Sequence, residues 1–372
     1  RPPCFFAIQT YFSFSVYKRL AADMSGGELL VEGRALLGED FEEAPVRVVV
    51  EGGTIAHVEE LGGPGNDLPW IVPAFFNAHT HVGDSVALDI PLEGDLDALV
   101  RPPDGLKHRI LRSVSRTELV RAMRLTIGTM AHGGTAGFAD FREGGRDGVS
   151  ALLEAAEGIS CRPVIFGREG GEMVAQGLGI SSARDVGGSL DEMVSLARRI
   201  GKLVAFHAGE RDPSDIGQAL AYEPDLLVHC THASKDQLRQ IADAGIPVAV
   251  CPRANWRFRV TSSGMRPPVR ELLSLGGTIL LGTDNAMCVQ PDMWREMEFL
   301  STVYRVSPRE ALRAATLGAS LFMEPFYIRE GNRAAFLVID PRPSNLSLSR
   351  DIAAALVNRA GPANIVRKVI NL

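Results

Sequence analysis

Cysteine, aromatic residues and long apolar runs are all scarce in this 372-residue chain. The five cysteines (Cys4, Cys161, Cys230, Cys251 and Cys288) are odd in number and widely spaced, which excludes a disulfide framework and fits a reducing, cytoplasmic setting. Aromatics make up 6% of the residues, and no basic run is interleaved with them, so no nucleic acid is expected as a partner. The formal net charge of −6 gives no attraction for a polyanion either. No membrane partner is expected: a spanning helix needs about 20 apolar residues, and Cys4–Val16 is shorter and broken by Gln9, Thr10, Ser13 and Ser15.

What is present is the composition of an ordinary soluble protein, 45% hydrophobic and 23% charged. The length suits one domain of about 250 residues plus a smaller appendage. Residues 1–26 read as a disordered or artefactual extension, because Met24 precedes the first clearly patterned segment. Residues 27–67 and 330–372 read as one small β-sandwich domain built from both chain ends. Arg47–Glu51 and Thr54–Glu60 alternate around Gly52-Gly53, a hairpin signal, and Ala335–Asp340 and Asn364–Asn371 are strand-like.

Between them, residues 68–329 alternate short apolar strands with amphipathic stretches. The expected strands are Ile71–Asn77, Thr135–Asp140, Pro163–Gly167, Gly177–Ser181, Leu203–His207, Asp225–His229, Pro247–Cys251 and Thr278–Thr283. Helix starts are marked by Ser115/Glu118, Ser234/Gln237 and Ser307/Glu310, the last with Pro308 at the first helical position. Eight strand–helix units over about 250 residues predict an α/β fold, a (β/α)8 TIM barrel.

In such a barrel, chemistry sits at the C-terminal ends of the strands. Five of the eight histidines (His79, His81, His207, His229 and His232) fall at or just after an expected strand end, and Asp284 follows the eighth strand. His79 and His81, two apart on a strand, turn the same way. With His207 and Asp284 they make three imidazoles and one carboxylate, a set suited to one divalent metal, Zn2+ first and Fe2+ second. Calcium and magnesium prefer oxygen ligands. A position left to water makes such a site catalytic.

The runs Asn77-Ala-His79-Thr-His81, His207-Ala-Gly-Glu210, His229-Cys-Thr-His232 and Gly282-Thr-Asp284 together resemble the ordered signature of the amidohydrolase superfamily. Its mononuclear deaminase branch, with cytosine, guanine and adenosylhomocysteine deaminase-like members, is the nearest pattern. Binuclear members place a carboxylated Lys, or sometimes a Glu, on strand four, and Gly177–Ser181 has neither. Glu169, at the end of strand three, leaves a second metal open. The resemblance implies that Glu210 is the proton shuttle and that His229, with Asp284, orients the attacking hydroxide. Cys251-Pro-Arg-Ala-Asn255 resembles the Cys-Pro-Arg-Ser-Asn of adenosylhomocysteine- and guanine-deaminase-like members, with Ala254 in place of Ser. Arg142, Lys107, His232 and Asn255 are candidate substrate contacts, set against a surface role for the first two.

The implied reaction is hydrolytic deamination of a nitrogen heterocycle: a purine, a pyrimidine or a related small molecule. Opening of a cyclic amide, as in imidazolone-hydrolase-like relatives, or displacement of another leaving group stays open, as does a barrel that only binds. The oligomeric state also stays open, a homo-oligomer included. A separate class of zinc deaminases, acting on flipped bases, is excluded. His57-Val-Glu59 matches its H-x-E, but the P-C-x-x-C it also needs is missing.

Overall fold

The computed structural model of the protein describes residues 21–24, 28–91, 93–186 and 189–372. Five strands come first: β1 (Ala21–Met24), β2 (Glu28–Leu37), β3 (Glu42–Glu51), β4 (Thr54–Glu60) and β5 (Trp70–Pro73). Then follow β6 (Phe75–His81), β7 (Thr135–Arg142), β8 (Arg162–Gly167), β9 (Gly177–Ile180) and β10 (Leu203–Ala208). The series continues with β11 (Leu226–His229), β12 (Val248–Val250), β13 (Ile279–Leu281) and β14 (Asp284–Asn285). Near the C-terminus lie β15 (Ala335–Ile339) and β16 (Ile365–Ile370).

The outer strands form one mixed seven-stranded sheet in the order β16-β15-β5-β2-β3-β4, with β1 paired to β2. Both chain ends thus share a sheet, but it is a single sheet where the sequence suggests a sandwich. Most of the expected extension, residues 1–20 and 25–26, lies outside the described residues; within it, Ala21–Met24 pairs antiparallel with β2. The hairpin signal holds: Gly52 and Gly53 join β3 to β4 with φ of 55° and 81°, backbone that disfavours any residue with a Cβ.

The first expected barrel strand is two strands in two sheets. Trp70–Pro73 pairs with β2 and β15, while Phe75–His81 joins the parallel sheet. The switch is at Ala74, whose N–H donates to Ala335 O, whereas Phe75 N–H donates to Gly134 O. Residues on both sides are wholly buried, so the run has no alternation to mark the break.

The second sheet has nine parallel strands in the order β13-β12-β11-β10-β9-β8-β7-β6-β14. Its two end strands are neighbours in the chain, separated only by Gly282 and Thr283. Gly282 N–H donates to Val250 O at 2.9 Å and Thr283 N–H to His79 O at 3.1 Å, after which Asp284 pairs with Thr80 of β6. The sheet therefore curls until its last residues meet its first strand. A side chain at Gly282 would stand 2.7 Å from the His79 Cβ, so this close passage requires glycine.

Helices connect the parallel strands, and their starts follow the local code. Ser115 and Ser234 form reciprocal capping boxes with Glu118 and Gln237, while Ser307 accepts from Glu310 N–H before Pro308. Phe76, Phe138, Phe141, Phe166 and Phe206 are fully buried among the strands, each contributing about 1.5–3 kcal/mol of burial energy. No helix among the described residues is long and apolar enough to cross a membrane.

Candidate active site

Parallel strands aim their C-terminal ends at one side of the sheet, and there the predicted histidines converge. His79 and His81 end β6, His207 lies on β10, His229 ends β11 and Asp284 opens β14. The ring centroids of His79 and His207 are 4.8 Å apart, those of His79 and His81 5.0 Å, and those of His207 and His229 5.4 Å. Asp284 Oδ1 is 3.2 Å from His79 Nε2 and 3.7 Å from His81 Nε2.

Backbone carbonyls set two of the ring orientations. His81 Nδ1–H faces Phe141 O at 3.0 Å, and His207 Nδ1–H faces Ile180 O at 3.0 Å. Donation from Nδ1 leaves the lone pair on Nε2, the tautomer a metal ligand needs. His79 is fully buried, yet neither of its ring nitrogens makes a hydrogen bond, and His229 Nδ1 is likewise unpaired. Leaving such groups bare costs about 1–3 kcal/mol each, so the cluster fits an ion that would take these lone pairs. Three overlapping groups bring ligand atoms together: His79, His207 and His229; His79, His81 and Asp284; and Glu210, His229 and Asp284. The four predicted ligands are thus joined through His79, with His229 equally close.

Electrostatics agree with that donor set. Burial pushes His79 down to about 4 and His81 to about 3, the charge of Lys107 adding to the latter. Burial also holds His207 well below its usual value, so all three are neutral donors at pH 7. Burial alone would raise Asp284, but the imidazoles of His79, His229 and His81 outweigh it and keep it ionised.

Glu210 leaves β10 through the turn Gly209-Glu210, and its Oε1 is 3.7 Å from His229 Nε2. Burial, and then the charge of Asp284, raises its carboxyl above the ordinary range against the opposing pull of His229. Asp215 fixes the turn, its Oδ1 accepting from Gly209 N–H at 2.8 Å and its Oδ2 from Ser182 Oγ at 2.8 Å. Strain concentrates here too: His229, Cys230 and Asp284 have φ of 73°, 47° and 61°. Left-handed backbone at non-glycine residues costs about 1–3 kcal/mol apiece and clusters at functional sites.

Residues 70–371 match the amidohydrolase family model. A presumed aminohydrolase of Methanothermobacter thermautotrophicus is 33% identical over 92% of this chain and 97% of its own. The chain belongs to the amidohydrolase family. It is a hydrolase acting on carbon–nitrogen bonds. This amidohydrolase is also similar, at 25% identity over 92% of both chains, to a 5-methylthioadenosine/S-adenosylhomocysteine deaminase of Pelotomaculum thermopropionicum. Its fold is similar to that of a zinc-bound adenosine deaminase from Xanthomonas campestris, with TM-score 0.68 and 15% identity over 91% of this chain and 90% of that one.

The remaining candidates of this amidohydrolase spread out. His81, His207, His229, Glu210 and Asp284 line one cavity, and Lys107 lines it with them. Lys107 is buried rather than a surface residue, held by Asp84 and Glu143 at 2.9 Å each. Arg142 is also buried rather than a surface residue: at the end of β7 it pairs with Glu143 at 2.7 Å and Asp140 at 3.4 Å, and it does not line the cavity. Asn255 donates to Thr231 Oγ1 at 3.0 Å away from the cavity, and His232 lines a neighbouring one that shares Glu210. Glu169 Oε2 accepts from Gly144 N–H and lies outside the metal-competent groups found among the described residues. Arg168, Arg101, Arg211 and Asp185 line the cavity without having been singled out from sequence. Arg168 follows the last residue of β8 directly, so the strand-end rule that points to the histidines reaches it as well.

Proposed function

We propose that this amidohydrolase hydrolytically deaminates a nitrogen heterocycle, a purine, pyrimidine or related small molecule. One divalent cation, zinc first, would be held by His79, His81, His207 and Asp284. The observation that carries the reading is the convergence of Glu210, His229 and Asp284, whose ligand atoms lie within 4.8 Å of one another beside the unpaired imidazoles. The named deaminase relative and the zinc in the adenosine deaminase of similar fold support it. The same reading takes β13 and β14 as halves of one eighth strand, completing a (β/α)8 barrel.

The cation, when bound, would lower the pKa of a water towards ~7 and so supply hydroxide at neutral pH. The chain's own residues do the rest. Asp284 and His229 orient that water and take its proton. Glu210, raised by burial, holds a proton at neutral pH more readily than an ordinary carboxyl. It delivers this proton to the ring nitrogen next to the amino-bearing carbon as oxygen adds there. Proton return to the amino group then releases ammonia and leaves the ring carbonyl, so one water is consumed per ammonia formed.

Glu210→Gln keeps the shape and removes the transferable proton. The expected outcome is unchanged metal content with a fall of about 10²–10⁴-fold in kcat for ammonia release. Turnover retained in that variant refutes the shuttle.

A further inference from the structure

Beside the imidazoles lies a second set of buried charges with Glu143 at its centre. Glu143 Oε1 is 2.9 Å from Lys107 Nζ, 3.2 Å from His81 Nδ1 and 3.3 Å from Arg168 Nη1, while Oε2 is 2.7 Å from Arg142 Nη2. One carboxylate therefore faces three cations. Lys107 has a second carboxylate in Asp84 at 2.9 Å, and Arg142 has one in Asp140 at 3.4 Å. Among the described residues, Arg168 has no other carboxylate within ion-pair distance.

The remaining donors of Arg168 are unspent. Its Nε is buried without a hydrogen-bond partner. Its Nη2 stands 3.4 Å from His207 Nδ1, but that nitrogen already donates to Ile180 O and has no lone pair to offer. The Nε–Nη2 edge is the fork that binds a carboxylate through two parallel N–H bonds, and here it has no acceptor. The side chain is 11% exposed and lines the cavity, with the Phe141 ring 5.9 Å from its guanidinium carbon. A buried cation that shares its only counter-ion with two others is poorly compensated, and a ligand carboxylate would supply what is missing.

We propose that Arg168, with Lys107 adding charge from the same wall, is the receptor for a carboxylate on the substrate. The preferred substrate is then an aminated heterocycle that bears an acidic group. This rests on the deaminase reading only in taking the substrate to be a heterocycle. If Arg168 merely anchors Glu143, affinity is indifferent to the charge of the ligand.

Orotate and uracil share a ring and differ by one carboxylate, and their affinities for the zinc-loaded full chain are measured by calorimetry. Orotate is expected to bind at least about tenfold tighter, equivalent to about 1.4 kcal/mol. Arg168→Gln removes that preference with zinc content unchanged, and Arg168→Lys, which keeps the charge without the fork, retains only part of it. Equal affinities, a preference for uracil, or no orotate binding at about 1 mM each overturn the proposal. So does a preference that survives intact in Arg168→Gln or, should that protein fail to hold zinc, in Arg168→Lys. Ammonia is not read in this experiment. A chain that prefers orotate but deaminates nothing keeps the receptor and loses the deaminase reading, and the reverse result does the opposite.

Discussion

Two neighbouring walls of side chains, the imidazoles of His79, His81, His207 and His229 and the ion pairs of Asp84, Lys107, Arg142 and Glu143, reach one cavity through His81, His207, His229 and Lys107; all are buried, yet they satisfy their polar atoms in different ways. On the imidazole wall, both ring nitrogens of His79 and Nδ1 of His229 have no hydrogen-bond partner. On the ion-pair wall, every cation has a carboxylate within 3.4 Å. Burial is equally costly on both sides, so the difference lies in when the cost is offset. The ion pairs offset most of it on folding, although both oxygens of Asp84 lack a hydrogen bond and only Oδ2 faces a cation, Lys107 at 2.9 Å. The imidazoles of His79 and His229 leave ring nitrogens bare, which is what the proposed metal site requires and a structural network of the same residue types would not.

The sharpest break in this comparison is loss of a predicted metal ligand. Asp284→Ala is expected to abolish stoichiometric zinc binding and lower kcat by about 10³-fold, since several kcal/mol of charge stabilisation disappear. Elemental analysis beside an ammonia assay reads both, and an active variant with a full zinc complement removes Asp284 from the site. On the other wall, Glu143→Gln leaves Lys107, Arg142 and Arg168 with one carboxylate fewer among them. Breaking a buried pair from one side costs about 3–5 kcal/mol, so denaturant unfolding is expected to show a loss of that size. Zinc stoichiometry is expected to survive, because Phe141 O still orients His81. A loss below about 1 kcal/mol means that the network is no more than a surface-like set of pairs.

The two walls also differed in how far they could be read from sequence. His79, His81, His207, His229 and Asp284 are legible because each sits at the end of a short apolar strand, and strand ends in a parallel sheet share one side. Glu143 and Lys107 lie 36 positions apart, and nothing local says that they meet; the meeting depends on how the 82–107 segment folds back over β7. Arg142 looks like a loop residue beyond the strand Thr135–Asp140, but β7 runs two residues further and buries it. Side chains at Gly83 would strike its guanidinium at 2.4 Å, a close packing that residue types do not announce. The split at Ala74 and the passage through Gly282-Thr283 were hidden for a related reason. Both are changes of hydrogen-bond partner inside apolar runs, where composition stays constant.

Acid should separate the walls with the smallest and most graded effect. His79 sits at about 4 and His81 at about 3 in the fold, pushed down by burial from the usual 6.5. Between those limits the unfolded chain binds more protons than the folded one, so their contribution to stability is complete above pH 6.5 and drains away as the pH drops towards 4. Glu143 behaves otherwise. Burial alone would raise it, but Lys107, His81 and Arg142 hold it well below the usual 4.5, so its contribution is present above that value and is lost only as the pH falls through the lower one. Thermal melts of chelated protein from about pH 7.5 to pH 4.5 are therefore expected to lose stability steadily below pH 6.5, each imidazole adding at most about 1.4 kcal/mol per pH unit. Glu143→Gln lowers the whole curve without changing its slope in that window, whereas His81→Asn makes the slope shallower by about one proton. A flat profile from pH 7 to about pH 5 would mean that the imidazole wall already has partners for its protons, and the contrast between the two walls would fail there.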